Sequence, residues 1–262
     1  MMPLSCYILT KNSERYLART LAPMRDTLDD VVIVDSGSTD RTAEIAAQFG
    51  ARLIVRPFDN FRDQRRFALD ACRYDWVLSL DSDEAPDDAF ARAIAELKAR
   101  DFRVGEAAPD IFKITRRWFV LGQEIHAFYP IVSPDHPARL FRRDRVTFRD
   151  GGRMVHETPT GATSTPAALI GGTVFHYSVD TIEELYAKLH LYTTLAAHDM
   201  RERGKTGRWV DILLHPTFAW ARWYLLKGGW RDGWIGLMLG RYAYDYTYQK
   251  YLKLRYDCAQ KS

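Results

Sequence analysis

The sequence predicts an α/β protein in which a mostly parallel sheet carries helices on both faces, followed by a helical carboxyl-terminal segment. Three observations lead to this prediction. Short, fully apolar runs alternate with helical patterns through residues 1–100, which is typical of a parallel sheet that is buried on both sides. The 262-residue chain is 47% hydrophobic, enough to bury a sizeable core. Acidic clusters follow two of the apolar runs, where open parallel sheets bind ligands.

The elements follow from the spacing of apolar residues and from their boundary residues. Apolar runs are typical of strands, and apolar residues spaced three and four apart are typical of helices. Asn12 or Ser13 is expected to cap the first helix, and Pro86 is expected early in a later helix, with Asp87 and Asp88 in its acidic first turn. The predicted order is the strand LSCYILT (4–10), a helix carrying Tyr16, Leu17 and Leu21, the strand VVIVD (31–35), the helix TAEIAAQFG ending at Gly50, the strand RLIVRP, a helix around QRRFALDAC and the strand WVLSLD (76–81).

Charge and cysteine content exclude several classes of protein. The net charge is only +3, from 37 basic and 34 acidic residues, so nucleic acid is not an expected partner. Cys6, Cys72 and Cys258 form no CxxC pair, which argues against a disulfide framework or a zinc site and favours a reducing compartment, the cytoplasm. The first residues, MMPLSCYILTKN, are interpreted as a first strand rather than a signal peptide.

The stretch VVIVDSGSTD (31–40) resembles the catalytic loop of an aspartic protease. That class needs two such loops on β-hairpins, whereas this chain has one, and a helix follows it. Asp35 is therefore expected at the carboxyl end of a parallel strand, with Gly37 and Ser38 allowing backbone amides to approach a ligand. An ordinary strand-to-helix turn, with Asp and Ser as caps, explains the same residues.

A second acidic cluster, LDSDE, follows the strand WVLSLD. Asp81, Asp83 and Glu84 would repel one another unless a cation or a proton relieved the repulsion. Carboxylate oxygens beside a diphosphate suit Mg²⁺ or Mn²⁺. An acidic helix start is the simpler alternative, and it explains Asp87 and Asp88 better than it explains Asp81 and Asp83.

These loops together resemble family 2 glycosyltransferases of the GT-A fold. The segments TKNSE, VDSGSTDRT and LDSDE follow three predicted strands, and Asp81-Ser82-Asp83 matches the DxD motif of that family. Further similarity to the bacterial lipopolysaccharide core β-1,4-glucosyltransferases lies in QRRFAL (64–69), ARLFRR (138–143), VHE (155–157), FHYS (175–178) and LYTTLAA (191–197). Arg66 departs from the Asn that is usual in this branch.

The resemblance implies a nucleotide-sugar site with a Mg²⁺ or Mn²⁺ ion, and UDP-glucose as the favoured donor. Thr10, Glu14 and Asp35 would hold the uridine, Arg65 would lie near the uridine or the phosphates, and Asp81 and Asp83 would position the metal-bound diphosphate. His176, at the end of the apolar run TVF, is either a metal or phosphate ligand or a hydrogen-bonded core histidine.

Catalysis in this interpretation is a single displacement with inversion. One carboxylate takes the proton from the acceptor hydroxyl on the face opposite the leaving group. The resemblance places VHE beside the donor sugar, so Glu157 is the expected general base, Asp150 is the reserve candidate, and His156 is expected to orient a neighbour.

Composition changes from Trp209 onward, where aromatic and basic residues are interleaved. Five of the seven tryptophans lie between residues 209 and 234. Charges, Pro216 and glycines interrupt the segment, so it is not expected to span a membrane. It is expected to lie on an anionic membrane surface, which suits a lipid-linked acceptor, while packing in a core or a dimer interface is the alternative.

The expected function is transfer of a hexose to a lipopolysaccharide core or a related lipid-linked glycan, at the inner face of the cytoplasmic membrane. Residues 1–100 would bind the nucleotide sugar, 101–205 the acceptor, and 206–262 the membrane. The alternatives are a phosphatase or phosphotransferase with Asp81 as nucleophile and a non-catalytic membrane-associated module. The sequence leaves the sugar, the acceptor, the metal and the oligomeric state open.

Overall fold

The computed structural model describes residues 2–149, 158–161, 165 and 167–257. The chain forms two compact units, one of Met1–Arg116 with His136–Tyr177 and one of Arg117–Asp135 with Ser178–Ser262. This division follows the packing of the chain. The three segments predicted by role, 1–100, 101–205 and 206–262, stay a prediction.

Strands and helices alternate through the first hundred residues, and the chain is helical from residue 182 onward. The strands are β1 (Leu4–Thr10), β2 (Asp30–Asp35), β3 (Arg52–Val55), β4 (Trp76–Asp81), β5 (Glu84–Pro86), β6 (Ile111–Lys113), β7 (Arg116–Val120), β8 (Gln123–Glu124), β9 (Ala127–Phe128), β10 (Ile131–Val132), β11 (Ala138–Arg142), β12 (Val146–Arg149), β13 (Thr158–Gly161), β14 (Ala168–Leu169) and β15 (Val174–Val179). The helices are α1 (Leu17–Leu21), α2 (Thr42–Gln48), α3 (Phe61–Ala71), α4 (Asp88–Ala99), α5 (Ile182–Glu202), α6 (Trp209–Trp220) and α7 (Gly233–Tyr256), and a π-helical segment, Ala221–Leu226, follows α6.

The first unit is built on a seven-stranded sheet in the order β14-β6-β11-β4-β1-β2-β3. Strands β4, β1, β2 and β3 run parallel to one another, whereas β11 is antiparallel to both of its neighbours. Helices pack on both faces, because one buried cluster contains Leu17 and Ile94 and the other contains Ala68 and Leu69. The predicted mostly parallel α/β sheet is confirmed.

The predicted cap of the first helix is wrong. The helix begins at Leu17, Tyr16 occupies the cap position, and no side chain caps it. Asn12 and Ser13 are engaged elsewhere: Asn12 Oδ1 accepts a hydrogen bond from the Thr39 amide at 2.9 Å, and the Ser13 and Ser82 hydroxyls lie 3.0 Å apart. Contacts with the loops that follow β2 and β4 therefore override the local capping preference.

The helical position predicted for Pro86 is also wrong. Pro86 ends β5, which pairs antiparallel with β15 at Val174. The fixed φ of proline suits an extended strand end as well as a first helical turn, so sequence alone does not separate the two. The expected acidic start of the following helix is confirmed. Asp87 caps α4 by accepting a hydrogen bond from the Phe90 amide at 2.7 Å, and Asp88 lies in the first turn.

The second unit is mainly helical. Helix α5 begins at a cap in which the Thr181 hydroxyl accepts a hydrogen bond from the Glu184 amide at 3.1 Å. Leu185 and Leu189 of α5 and Leu239 of α7 share one buried cluster, which forms the core of this unit. Within the part of the chain that the structure describes, no helix is long and apolar enough to cross a membrane.

Candidate active site

Two predicted site carboxylates lie at the same edge of the sheet. Asp35 ends β2 and Asp81 ends β4, with β1 between them. In the register of these strands Thr10 pairs with Asp35, and Leu9 pairs with Asp81. Because the three strands are parallel, their carboxyl ends form one edge, which is where sheets of this kind bind ligands.

The carboxylate of Asp35 is held by neutral donors from its own loop and from β1. The Ser38 and Gly37 amides donate to Oδ2 at 2.7 and 3.0 Å. The Thr10 hydroxyl donates to Oδ1 at 2.7 Å, and the Ser38 hydroxyl also donates to Oδ1. Burial alone would raise the pKa of Asp35, but the donors from Ser38, Thr10 and Gly37 outweigh it and hold the pKa below its usual value.

The loop after β1 completes this region. The Glu14 carboxylate accepts a hydrogen bond from the Arg41 amide at 3.0 Å, next to the start of α2. Lys11, which the sequence analysis did not single out, donates from Nζ to the Ser36 and Gly37 carbonyls at 3.1 and 2.6 Å. The predicted uridine residues Thr10 and Asp35 are thus in contact, whereas Glu14 binds the beginning of a helix.

Arginines bind the carboxylate of Asp81. Arg139 on β11 donates from Nη2 to Oδ2, and the Nη2 of Arg65 on α3 lies 3.4 Å from Oδ1. Burial would raise the pKa of Asp81, but the positive charges of Arg139 and Arg65 outweigh it and hold the pKa well below its usual value. Arg65 thus contacts the first carboxylate of the DxD motif, and its place near the uridine or the phosphates stays a prediction.

Glu84 is the buried centre of the same network. Its side chain is 0% exposed, and Oε1 accepts hydrogen bonds from Arg116, at 2.7 Å, and from Arg139. Oε2 accepts a hydrogen bond from the Asp81 amide at 3.0 Å, which closes the turn between β4 and β5. Glu84 therefore fixes two arginines and the DxD turn together.

Arginines pair with two of the three carboxylates of this network. Asp81 and Glu84 face Arg65, Arg116 and Arg139, so the repulsion between these two carboxylates is relieved by arginines, whereas Asp83 lies beside His176. The expectation that a cation relieves the repulsion thus holds for Asp81 and Glu84, where the cations are arginines, and the metal ion at Asp83 stays a prediction. A divalent cation at this edge requires ligand positions that the arginines leave open.

Asp83 and His176 provide such positions. His176 on β15 pairs with Glu84 on β5, and its Nδ1 lies 3.3 Å from an oxygen of Asp83. The Tyr177 amide donates to the Asp83 carbonyl at 3.0 Å, which holds the DxD turn against β15. The predicted metal residues Asp83 and His176 are thus brought together, and His176 is also buried, as the alternative interpretation expected.

These residues fit a Mg²⁺ or Mn²⁺ ion that binds together with a phosphate ligand. The described residues contain no group of three or more potential metal-ligating side chains. Mg²⁺ commonly takes one or two protein carboxylates and completes its shell with phosphate oxygens and water. Asp83 supplies such a carboxylate. Both oxygens of Asp81 face arginines, so its role as a metal ligand stays a prediction that requires those contacts to rearrange.

Sequence reasoning assigned no role to Arg139, Arg116 or Glu84. Arg139 lies in the quoted ARLFRR stretch, and one signal was available: a charged residue inside a short strand pattern, flanked by Ala138 and Leu140, is costly to bury unless it is paired. The Arg139 side chain is 7% exposed, and its Nε has no hydrogen-bond partner among the described residues. One of its donors is therefore buried without a partner among the described residues.

The predicted catalytic group is not covered by the structure. Asp150, His156 and Glu157 lie outside the described residues, so their roles stay predictions. A cavity of about 130 Å³ lies near the opposite ends of the strands, around Asp30 and Arg52. These two side chains form a two-pronged ion pair with distances of 2.9 and 3.0 Å, which indicates a structural role for that cavity wall.

Open parallel sheets with polar residues at the carboxyl ends of their strands are a common class of ligand-binding enzymes, and comparison with known proteins identifies the family. The chain belongs to glycosyl transferase family 2, whose model matches residues 5–154, a range that includes Thr10, Asp35 and Asp81. It is therefore a glycosyltransferase, and the GT-A fold expected from the resemblance is confirmed. The phosphatase and non-catalytic alternatives are wrong.

Two relatives of known sequence are also glycosyltransferases by name. The chain is 30% identical to the lipopolysaccharide core biosynthesis glycosyltransferase LpsC of Rhizobium meliloti (strain 1021), over 90% of this chain and 86% of that protein. It is 28% identical to a glycosyltransferase of Rickettsia typhi (strain ATCC VR-144 / Wilmington), over 86% of this chain and 76% of that protein. The expected resemblance to lipopolysaccharide core enzymes is confirmed.

Solved structures give weaker matches. Glucosyl-3-phosphoglycerate synthase from Mycobacterium tuberculosis, in complex with Mn²⁺ and UDP-glucose, is 17% identical with a TM-score of 0.47, over 76% of this chain and 79% of that chain. S. aureus TarS is 17% identical with a TM-score of 0.42, over 100% of this chain and 92% of that chain.

Proposed function

We propose that this glycosyltransferase transfers glucose from UDP-glucose, with inversion, to a sugar hydroxyl of a lipopolysaccharide core or a related lipid-linked glycan. The observation that carries the proposal is the shared strand edge, where the Asp35 loop, the DxD turn, Arg65 and Arg139 lie at the ends of parallel strands. The Asp35 carboxylate is held by hydroxyl and amide groups and the DxD turn by arginines, which suits the base and ribose at one end of a nucleoside diphosphate and the phosphates at the other.

The uridine is placed at the Asp35 loop, with Thr10, Glu14, Gly37 and Ser38. The loop offers a buried carboxylate and backbone amides, which suit the donors and acceptors of a base and a ribose. A nucleotide that binds here exchanges hydrogen bonds within the loop for hydrogen bonds with the ligand, so little charge has to be desolvated.

The diphosphate is placed at the DxD turn. The guanidinium groups of Arg65 and Arg139 supply positive charge, and we propose a Mg²⁺ or Mn²⁺ ion at Asp83, with His176 and Asp81 as further candidate ligands. When bound, the ion acts as a Lewis acid that stabilises negative charge on the departing UDP. Guanidinium groups matched to phosphate oxygens stabilise the same charge and orient the leaving group.

The acceptor hydroxyl is deprotonated by a carboxylate. Glu157 remains the proposed general base and Asp150 the reserve, on the resemblance of the VHE segment to its family. A correctly placed carboxylate base contributes roughly 10²- to 10⁴-fold to the rate. The Glu157→Gln variant keeps its shape and loses its basicity, so it is expected to lose turnover and keep donor binding.

The place of action is the inner face of the cytoplasmic membrane. The similarity to a lipopolysaccharide core enzyme supports a lipid-linked acceptor, and exposed apolar and basic residues of the second unit support contact with an anionic membrane. The oligomeric state is left open.

The test combines donor screening with turnover. UDP-glucose with Mn²⁺ is expected to raise the melting temperature more than UDP-galactose or GDP-mannose does, because a preferred ligand stabilises the folded state by mass action. Glucose transfer to a truncated lipopolysaccharide core should then be measurable, and it should fall by about 10²-fold or more in Glu157→Gln. Glu202→Gln, at an exposed position in the last turn of α5, is the matched control.

Two outcomes would contradict the proposal. Equal stabilisation by all nucleotide sugars would remove the assignment of UDP-glucose. Near-normal transfer by Glu157→Gln at saturating acceptor would remove the assigned base and make Asp150→Asn the next variant to measure.

A further inference from the structure

Helix α6 and the π-helical segment that follows it expose an unusual number of large apolar side chains. We call this surface the apolar face and define it by Val210, Leu214, Phe218, Leu225, Leu226 and Trp234, all of which are exposed. Leu226 is 78% exposed and Trp234 is 85% exposed. Val210, Leu214 and Phe218 recur every four positions and form one stripe along α6, and Leu225, Leu226 and Trp234 extend the exposed apolar set beyond that helix.

Packing of the second unit does not account for this stripe. The opposite side of the helix already supplies buried residues, including Ile212, Ala219 and Trp223. Trp223 belongs to a buried cluster with Ala243 of α7. A surface helix of a water-soluble protein normally carries polar residues on its outer side. Contiguous exposed apolar surface of this kind indicates a site of contact with a partner.

Charges around the apolar face have one sign. From residue 205 to residue 241, every exposed charged residue is basic: Lys205, Arg208, Arg222, Lys227, Arg231 and Arg241. The two acidic residues of this stretch, Asp211 and Asp232, are buried. Asp232 is bound by the His126 amide at 2.9 Å, and Asp211 is bound by the Arg208 amide at 3.2 Å. The exposed charge of this surface is therefore positive.

The charge decides between two possible partners. A second copy of this chain, docked through the same face, would bring Arg222, Lys227 and Arg231 close to their own counterparts, and none of these three forms an ion pair with a described residue. Like charges that face each other across an interface are destabilising. Anionic lipid headgroups neutralise the same residues, and the acyl region beneath them accepts leucine and tryptophan side chains.

We propose that the apolar face inserts into one leaflet of an anionic bilayer, at the boundary between headgroups and acyl chains, with Arg222, Lys227 and Arg231 on lipid phosphates. No described helix is able to span a bilayer, so α6 lies along the surface. This inference deepens the proposed membrane location and is independent of the glycosyl donor and of the catalytic base.

The first arm of the test measures the apolar contribution. Full-length protein is sedimented with vesicles made of equal parts phosphatidylglycerol and phosphatidylcholine. The Leu225→Ser/Leu226→Ser variant is expected to bind at least about tenfold more weakly, because two apolar side chains are lost from the inserted surface. The matched control, Ile182→Ser/Leu191→Ser, changes two exposed apolar residues of α5 and is expected to bind like the wild type.

The second arm measures the charge contribution. Arg222→Glu/Lys227→Glu is expected to bind the anionic vesicles at least about tenfold more weakly, since each basic residue near such a surface contributes about fivefold. Pure phosphatidylcholine vesicles should show little difference between this variant and the wild type. Arg103→Glu, an exposed site of the first unit, is the charge control.

Each outcome decides the proposal. UDP affinity, measured by calorimetry, should be unchanged in every variant, which separates loss of membrane binding from misfolding and from failure of the donor site. Wild-type binding of both face variants to anionic vesicles would overturn the proposal. So would sedimentation equilibrium that shows a stable dimer converted to monomer by Leu225→Ser/Leu226→Ser, since the face would then be an interface between copies.

Discussion

Asp35 lies at the end of β2 and Asp81 at the end of β4, on the same edge of the sheet, yet their carboxylates are held in different ways. Asp35 is bound by hydroxyl and amide groups, which carry no net charge. Asp81 is bound by Arg65 and Arg139. Both arrangements lower the pKa of the carboxyl group, one through oriented dipoles and the other through opposite charges.

In the proposed function, this difference lets one edge bind the two ends of a nucleotide. Dipoles around Asp35 fix a loop shape without adding charge, which suits a base and a ribose. The arginines around Asp81 bring positive charge to the edge while their carboxylate partners keep it neutral. Preorganised charge of this kind favours a group that becomes more negative as the reaction proceeds, such as a leaving diphosphate.

The largest expected effect comes from Glu84, the buried anchor of the arginines. Glu84→Gln leaves Arg116 and Arg139 without their shared buried counter-charge, so the free energy of unfolding is expected to fall by ~3–5 kcal/mol. Urea denaturation measures this change. Glu96→Gln, at an exposed site on α4, is the control and should stay within about 0.5 kcal/mol of the wild type. A loss below 1 kcal/mol in Glu84→Gln would show that the arginines do not depend on it.

Asp35→Asn tests the hydroxyl and amide donors that hold the Asp35 carboxylate. The new amide group cannot accept hydrogen bonds at both former carboxylate oxygens, so at least one donor loses its partner and the free energy of unfolding should fall by ~1–3 kcal/mol. UDP affinity should fall as well, measured by calorimetry. Asp40→Asn, which alters a half-buried carboxylate of the same loop, is expected to leave UDP affinity closer to that of the wild type.

The pH dependence of stability has a definite sign for both carboxylates. The folded-state pKa of Asp35 and of Asp81 lies below the unfolded value of about 3.9. Their stabilisation is therefore fully present above that value and is lost as pH falls through the folded-state pKa. Between pH 5 and pH 3, wild type should lose more stability than the Asp35→Asn variant, and equal losses would contradict the assignment.

Arg65→Met is expected to have the smallest effect on stability. Its contact with Asp81 is 3.4 Å long and both side chains are partly exposed, so the free energy of unfolding should change by only ~0–1 kcal/mol. UDP affinity should nevertheless fall by about tenfold, because a guanidinium group is removed from the proposed diphosphate position. Arg66→Met, on the exposed side of the same helix, should bind UDP like the wild type.

The sequence predicted the sheet edge well because strand ends are local features. The apolar runs VVIVD and WVLSLD mark where Asp35 and Asp81 must lie, and parallel order then brings them together. Arg139 was beyond such reasoning, since it reaches Asp81 from a strand 58 positions further along the chain. Asn12 and Pro86 were assigned by local preference, which partners on other strands and loops overrode.

The sequence predicted less of the carboxyl-terminal segment. Its aromatic and basic composition pointed to either a membrane or a core, because composition does not separate the two sides of a helix. Burial separates them: Trp223 is packed inside, while Leu226 and Trp234 are exposed. Glu157 was assigned through resemblance, and it lies outside the described residues.

The central claim is that the sheet edge binds a nucleoside diphosphate together with a divalent cation at Asp83. Calorimetric titration of UDP into the intact protein tests it, first with Mn²⁺ and then with EDTA. Wild type should bind UDP at least about tenfold more tightly with Mn²⁺ than with EDTA. The UDP affinity of Asp83→Asn in Mn²⁺ should equal that of wild type in EDTA. The control variant Asp70→Asn, at an exposed site on α3, should bind UDP like wild type in both conditions. Equal UDP affinity with and without metal, or unchanged metal dependence in Asp83→Asn, would contradict the account.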